Sequence, residues 1–318
     1  MPVLLAAAPR MLLGAASRVS VRIWTTPVVR TGACVRPGGA LRAGLTAAGS
    51  VALTMGGCQV SHAGAAPEKE SVPGEAAPLR GQKAVVFGGT SGIGLATAIR
   101  LREAGAQVVA VSRQPAGKIG QDGVDLSGIT LSTCDVLDKA ALSDLLASEA
   151  PFEILVSAAT GGTRAMGPFL EMDMDGYRAS FDKLWGYANV VQLGAPHLCD
   201  DTGCIVLVSG CPARRPRPGQ VALSSVGAAV EQLARCVAVE LAPRGIRINV
   251  VSPGIIETPM FGPAGDERSK RLGDVTAANL IPRPGSADEV AHAIMFAVQN
   301  RFITGTTIDV DGGWLHKL

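Results

Sequence analysis

The chain has 318 residues, 47% of them hydrophobic and 4% aromatic, with 39 glycines. Its 29 basic and 27 acidic residues give a net charge of +2, which excludes the electrostatic footprint of a nucleic-acid binder. Seven cysteines without a Cys-x-x-Cys pair or a Cys/His cluster speak for free thiols, so no disulfide framework and no metal site is expected.

The charge is unevenly spread. Residues 1–67 hold six arginines, Arg10, Arg18, Arg22, Arg30, Arg36 and Arg42, and no Asp or Glu, leaving 23 basic against 27 acidic residues in the rest. An arginine-bearing, acid-free start of this kind marks a mitochondrial or plastid transit peptide. Residues 1–79 therefore read as a transit peptide, a low-complexity extension and a linker, and residues 80–318 as one folded domain. The apolar stretch 43–57 is too short and too glycine-rich for a membrane span, so no stable membrane insertion is expected.

Strands and helices alternate from residue 81 onward. A β-branched strand at 83–88 runs into the turn Gly88-Gly89-Thr90-Ser91-Gly92-Ile93-Gly94, which opens a helix with Ile93, Ala96, Ile99 and Leu101 at helical spacing. Backbone N–H groups and the positive end of the helix dipole converge there, and glycines let phosphates approach the backbone. Gly105 ends that helix. Further strands are expected at 107–112, 129–134, 153–158, 204–209, 246–251 and 306–310, and helices near 138–147, 174–198, 222–241 and 288–299. Continuously apolar strands separated by helices imply a Rossmann-type, doubly wound parallel α/β sheet of about seven strands, covered on both faces. A ligand then lies across the carboxyl ends of the strands at the topological switch point.

These motifs, in this order and spacing, resemble the short-chain dehydrogenase/reductase family from about Gly81 to the C-terminus. The family's Thr-Gly-x-x-x-Gly-x-Gly loop matches Phe87-Gly88-Gly89-Thr90-Ser91-Gly92-Ile93-Gly94, with Phe87 in the threonine's place. Asp135, followed by Val136, takes the place of the adenine-contacting aspartate, and Ser157-Ala158-Ala159-Thr160 that of the fourth-strand motif. The run Ile246-Arg247-Ile248-Asn249 and the loop Pro253-Gly254-Ile255-Ile256-Glu257-Thr258 match the segment that holds the nicotinamide carboxamide in the family. Thr304-Gly305 and Asp311-Gly312-Gly313 complete the pattern. At the end of the second strand stands Ser112, followed by Arg113. A neutral residue there removes the repulsion of a 2′-phosphate, and a guanidinium pairs with it bidentately, so NADP(H) is the expected cofactor.

The resemblance breaks at the chemistry. The family's relay uses a tyrosine, a lysine four residues later, a serine thirteen residues before the tyrosine, and an asparagine. Counting back from Gly227-Ala228-Ala229, the lysine place falls on Val226, the tyrosine place on Ala222 and the serine place on Ser209; anchored on Leu184-Trp185-Gly186, the asparagine place is Lys183. Neither Ala222 nor Val226 transfers a proton, so the chain looks like a divergent branch of the family lacking the catalytic tyrosine and lysine. Ser209 and Lys183 remain as catalytic candidates, with the Lys183 nitrogen expected in the nicotinamide pocket close to Ser209. Tyr187 shares a helix face with Lys183 and is expected to pack against a neighbouring helix or a subunit. His197, His292 and His316 are scattered; Arg214, Arg215 and Arg217 read as a solvated, mobile loop or, since that loop follows the carboxyl end of a strand, as the entrance for an anionic substrate.

Two functions are weighed. One is an NADP(H)-dependent oxidoreductase of a small carbonyl or alcohol with an altered proton relay. The other is a catalytically silent NADP(H)-binding protein, a sensor or assembly subunit. The two long helices, together with the family's habit of pairing there, point to a homodimer or homotetramer.

Overall fold

The computed structural model describes residues 77–115, 125–160 and 164–316. The expected transit segment lies outside the described residues. Leu79, assigned to the linker from the sequence, is 3% exposed and its N–H donates to the carbonyl of Ala104, so it belongs to the core.

The chain alternates as expected. Strand β1 (Lys83–Phe87) leads into helix α1 (Gly92–Glu103), then β2 (Gln107–Ser112), β3 (Ile129–Thr133), α2 (Lys139–Glu149) and β4 (Ile154–Ser157). Helices α3 (Met174–Ala179) and α4 (Asp182–Gly194) follow, then β5 (Cys204–Val208), α5 (Val221–Leu241) and β6 (Arg247–Pro253). The last part holds β7 (Ile256–Glu257), α6 (Asp266–Thr276), β8 (Gly285–Ser286), α7 (Ala287–Gln299) and β9 (Thr307–Val310).

Seven of these strands form one parallel sheet in the order β3-β2-β1-β4-β5-β6-β9. Its two faces follow from the period of two along each strand. In β1, Val85 and Phe87 enter the core formed with α2, α4 and α5, while Ala84 and Val86 enter the core formed with α1 and α7; all four are fully buried. The strand order reverses between β1 and β4, which places the switch point at the ends of those strands.

Three expectations change. The helix expected over 174–198 is two helices, broken at Ser180, whose hydroxyl donates to the Gly176 carbonyl (2.8 Å) and accepts from the Ala165 N–H (2.9 Å). A hydroxyl that competes for backbone partners is a known way to bend a helix. After Gly194 the chain tightens into a 3₁₀ turn containing Pro196. Two elements went unexpected: α6, which buries only Leu272 and Thr276 and so has almost no apolar pattern, and the short β7–β8 pair. Helix α5 is long and apolar enough to cross a membrane by composition, yet its Ala222, Val226, Val230, Ala234 and Ala238 stripe is buried within the protein.

Candidate active site

The cofactor cradle is assembled at the switch point. Gly88 has φ +76°, and a Cβ there would lie 2.7 Å from the Ala159 nitrogen. A Cβ on Gly94 would come within 2.2 Å of the Gly88 carbonyl oxygen, so the first turn of α1 presses directly on the loop that precedes it. Ile93 packs against the core beneath, and Ser91 is the N-cap of α1 in extended conformation. Thr90 and Ser112 are the polar complement. Thr90 Oγ1 and Ser112 Oγ are both buried and have no hydrogen-bond partner among the described residues. A buried hydroxyl without a partner is costly, and a bound polar group supplies what it lacks.

The other walls close on the same place. Gly92 faces Thr258, whose methyl would stand 3.3 Å from a Cβ on that glycine. The loop Pro253, Gly254, Ile256 and Thr258 thus reaches across to the start of α1, with Ile256 and Thr258 buried at 5% and 8%. Gly254 in turn is pressed against Asp311, one of the C-terminal motif residues. Ala158 donates its N–H to the Phe87 carbonyl at 2.9 Å, tying the β4 exit to the β1 exit. On the adenine side, Asp135 accepts from the Leu137 N–H at 3.0 Å through one carboxylate oxygen. Val136 is buried against Gly186 of α4, and its carbonyl accepts from Asn189 (3.0 Å). Arg113 is exposed at the carboxyl end of β2. Orphaned hydroxyls, a glycine cradle at a helix start and an exposed guanidinium beside a neutral strand end fit a phosphorylated dinucleotide.

The reactive side departs further from expectation. Lys183, on the first turn of α4, directs Nζ to the backbone carbonyl of Ser209 at 3.2 Å and lies over the Tyr187 ring, 5.4 Å from its centroid. The lysine does reach Ser209, but at its carbonyl. The serine hydroxyl, expected to polarise a substrate, is instead buried and donates to Oε1 of Glu231 at 3.1 Å. Burial, with a smaller contribution from Arg164, lowers the Lys183 ammonium to about 7. Tyr187 is fully buried and donates to the Val208 carbonyl (3.1 Å); burial pushes its phenol well above the usual range, so it is no proton donor at neutral pH.

Ala222 and Val226 do not line the cleft. They are 0% and 5% exposed and lie on the buried stripe of α5 with Val230. Gly227 of α5 approaches the loop after β5: a Cβ on it would lie 2.9 Å from Ala213 Cβ and 3.5 Å from the Gly210 carbonyl oxygen.

The arginine-rich loop after β5 is not a free one. Arg214 pairs with Glu231 at 3.6 Å and with Asp309 of β9. Arg215 donates to the Trp314 carbonyl at 2.8 Å, and Arg217 stacks on the Trp314 ring, 4.2 Å from its centroid. Glu231, which also pairs with Arg235 at 3.4 Å, is the residue sequence reasoning missed. Its signal was present: an acid one residue after Val230 in an otherwise apolar helix stripe. Arg164, which lies in irregular chain after β4, carried no such signal.

Comparison with known proteins agrees with this geometry. A family model described as Enoyl-(Acyl carrier protein) reductase matches residues 88–315. L-xylulose reductase of Mus musculus is 32% identical over 248 residues, covering 74% of this chain and 98% of its own. D-erythrulose reductase of Gallus gallus is 30% identical over 244 residues, covering 74% and 97%. Among solved structures, a short chain dehydrogenase from Burkholderia cenocepacia in complex with NADP superposes with a TM-score of 0.65 at 30% identity, covering 74% of this chain and 98% of that one. The glycine cradle at the switch point, the loop that closes over it and the extent of these matches establish that the chain belongs to the short-chain dehydrogenase/reductase family.

Proposed function

We propose that this chain is an NADP(H)-dependent oxidoreductase of a small, sugar-like carbonyl or alcohol, with its proton relay rebuilt around Lys183. The cofactor, when bound, supplies or accepts the hydride. The turn from Gly88 to Gly94 would hold its pyrophosphate, Arg113 its 2′-phosphate, and the loop from Pro253 to Thr258 its carboxamide. The NADP complex of the Burkholderia relative and the reductase activities in the names of the other two support this reading.

The observation that carries the relay is the position of the Lys183 Nζ, 3.2 Å from the Ser209 carbonyl just past β5. A group poised near pH 7 exchanges protons in both directions at neutral pH, and such transfer contributes roughly 10²–10⁴-fold in rate. The Ser209 carbonyl orients the amine, while Tyr187 forms the floor beneath it. The family's spacing is better satisfied one residue later than counting from the sequence placed it: Gly210 for the serine, Leu223 for the tyrosine and Gly227 for the lysine. The approach of Gly227 to Gly210 supports that register, as does the burial of Ala222 and Val226. In either register both the tyrosine and the lysine are absent.

The test is NADPH oxidation by the purified folded chain against ketoses, aldehydes and quinones. Lys183→Met should lower turnover far more than it weakens NADPH binding. NADPH binding with no turnover on any carbonyl, unchanged by Lys183→Met, would favour the silent sensor or assembly subunit that the missing tyrosine and lysine also suit.

Trp185 on α4 and Val239 on α5, 61% and 76% exposed, support a homodimer or homotetramer, which sedimentation at micromolar concentration tests. The acid-free, arginine-bearing start supports delivery to a mitochondrion or plastid, tested by imaging a full-length fusion and by mass spectrometry of its N-terminus.

A further inference from the structure

We propose that Arg215 and Arg217, both seated on Trp314, form a binding site for an oxyanion, the carboxylate or phosphate group of a small molecule. The site lies on the loop after β5 and stands apart from the oxidoreductase reading.

The sequence builds this loop to be stiff. In Arg215-Pro216-Arg217-Pro218-Gly219 each arginine precedes a proline, which restricts its backbone. Pro218 and Gly219 then make a tight turn: Gly219 has φ +78°, and the Gln220 N–H donates to the Arg217 carbonyl at 3.2 Å. The Gly219 carbonyl in turn accepts from the Gly167 N–H at 3.0 Å, and the Arg215 N–H donates to the Cys211 carbonyl at 3.2 Å.

The side chains are fixed as well. Arg215 donates from one Nη to the Trp314 carbonyl at 2.8 Å, and the Arg217 guanidinium lies 4.2 Å from the centre of the Trp314 ring. Contact with one and the same residue brings the two cations together. Trp314 is a firm seat: it is 2% exposed, and its N–H donates to the Asp311 carbonyl at 3.1 Å. Both arginines are half-buried. Burial first, and then the charge of Arg215, lower the Arg217 guanidinium from its ordinary value.

The charge around them does not balance. Arg214 and Arg235 share Glu231 and Asp309. Asp311 accepts from the N–H groups of Gly313 and Leu315. Arg215 and Arg217 make no ion pair with a described residue; a carbonyl and a ring, both neutral, are what they touch. A guanidinium stacked on an aromatic face keeps its in-plane N–H donors, and Arg215 has spent only part of its own. Like charges this close repel, and an oxyanion relieves both. The forked donors match the paired oxygens of a carboxylate or phosphate, and side chains already ordered lose little entropy on binding one.

The experiment uses the full chain saturated with NADPH, so that the cofactor's own phosphate sites are filled, at constant ionic strength. Calorimetry measures inorganic phosphate and, separately, oxalate. At least one should bind, and Arg215→Met and Arg217→Met should each weaken it about tenfold or more. Arg217→Lys should restore part of the loss, since the charge stays and the fork goes. Arg178→Met, which removes the same charge from the exposed pair of Arg178 with Asp175, should leave the affinity unchanged. Labelling of the wild-type chain with phenylglyoxal, read by mass spectrometry, needs no variant: the bound anion should slow it at Arg215 and Arg217 and not at Arg178. No binding of either anion, affinities that both Met substitutions leave unchanged, an equal loss in Arg178→Met, or labelling of Arg215 and Arg217 that neither anion slows overturns the proposal. A kinetic arm identifies the anion's source, on whatever carbonyl compound NADPH reduces. Competition between the bound anion and that compound assigns the site to the substrate's own acidic group, and any other response assigns it to a free anion. Turnover of no compound leaves the anion site standing and removes the oxidoreductase reading alone.

Discussion

Ser209 and Glu231 are joined by a buried hydroxyl-to-carboxylate bond of 3.1 Å that ties the end of β5 to the middle of α5. The serine that the resemblance put in the chemistry thus serves the framework beneath it. Ser209→Ala should cost about 1 kcal/mol of stability, since Glu231 keeps its two arginines. Glu231→Leu should cost about 3 kcal/mol, because Arg214 loses a partner and the serine hydroxyl is left buried and unpaired. Urea denaturation measures both. Turnover of Ser209→Ala on an active substrate should stay within a few-fold of wild type; a thousandfold loss would return the hydroxyl to the chemistry.

Stability should also report the buried ammonium. Lys183 is lowered from 10.5 to about 7 by burial first and Arg164 second. Between those values the unfolded chain binds more protons than the folded one, so this group's contribution to stability rises with pH. Below pH 7 the full cost of the buried charge is present; above pH 10.5 it has gone. Lys183→Met removes that cost. Its gain over wild type in urea midpoint should be larger near pH 6 than near pH 9.5, in a buffer free of phosphate and carboxylates. An equal gain at both would mean that the ammonium is not desolvated.

Two glycines make a matched pair of opposite sign. Gly94→Ala drives a methyl group into the Gly88 carbonyl and should abolish measurable NADPH binding while lowering the melting temperature. Gly273, inside α6, has open space where a methyl group would stand, with no atom within 4 Å of it. Gly273→Ala should therefore stabilise by about 0.5–1 kcal/mol and leave cofactor affinity unchanged. Fluorescence titration and thermal melting test both.

Cofactor choice is expected to turn on Arg113. The wild-type chain should bind NADPH more tightly than NADH, and Arg113→Glu should remove the preference by adding repulsion where a charged pair stood. Equal affinities before the substitution would show that the guanidinium does not reach the 2′-phosphate.

The sheet was legible in the sequence because its inner strands β1, β4 and β5 are almost wholly apolar and its helices follow in turn. The cradle was legible because Gly88, Gly92 and Gly94 can be nothing larger, and spacing alone locates them. Side-chain direction was not. Counting from the sequence put Ser209 in the serine place, but a carboxylate 22 residues later, Glu231, decides where its hydroxyl points. Lys183 was found from the sequence as a misplaced charge; that it meets a carbonyl and not a hydroxyl depends on how α4 sits against β5. The break at Ser180 depends on one hydroxyl bond across to Ala165, which no periodicity encodes. The loop arginines looked free because their partners, Asp309 and Trp314, come about a hundred residues later in the chain.

Trp314 gives that separation a practical side. Its ring and its carbonyl are gripped by Arg217 and Arg215, so the short turn Trp314–His316 is a buttress for the loop after β5. A cut anywhere ahead of Trp314 removes both grips at once and alters the loop after β5, however far from the cofactor the cut is made.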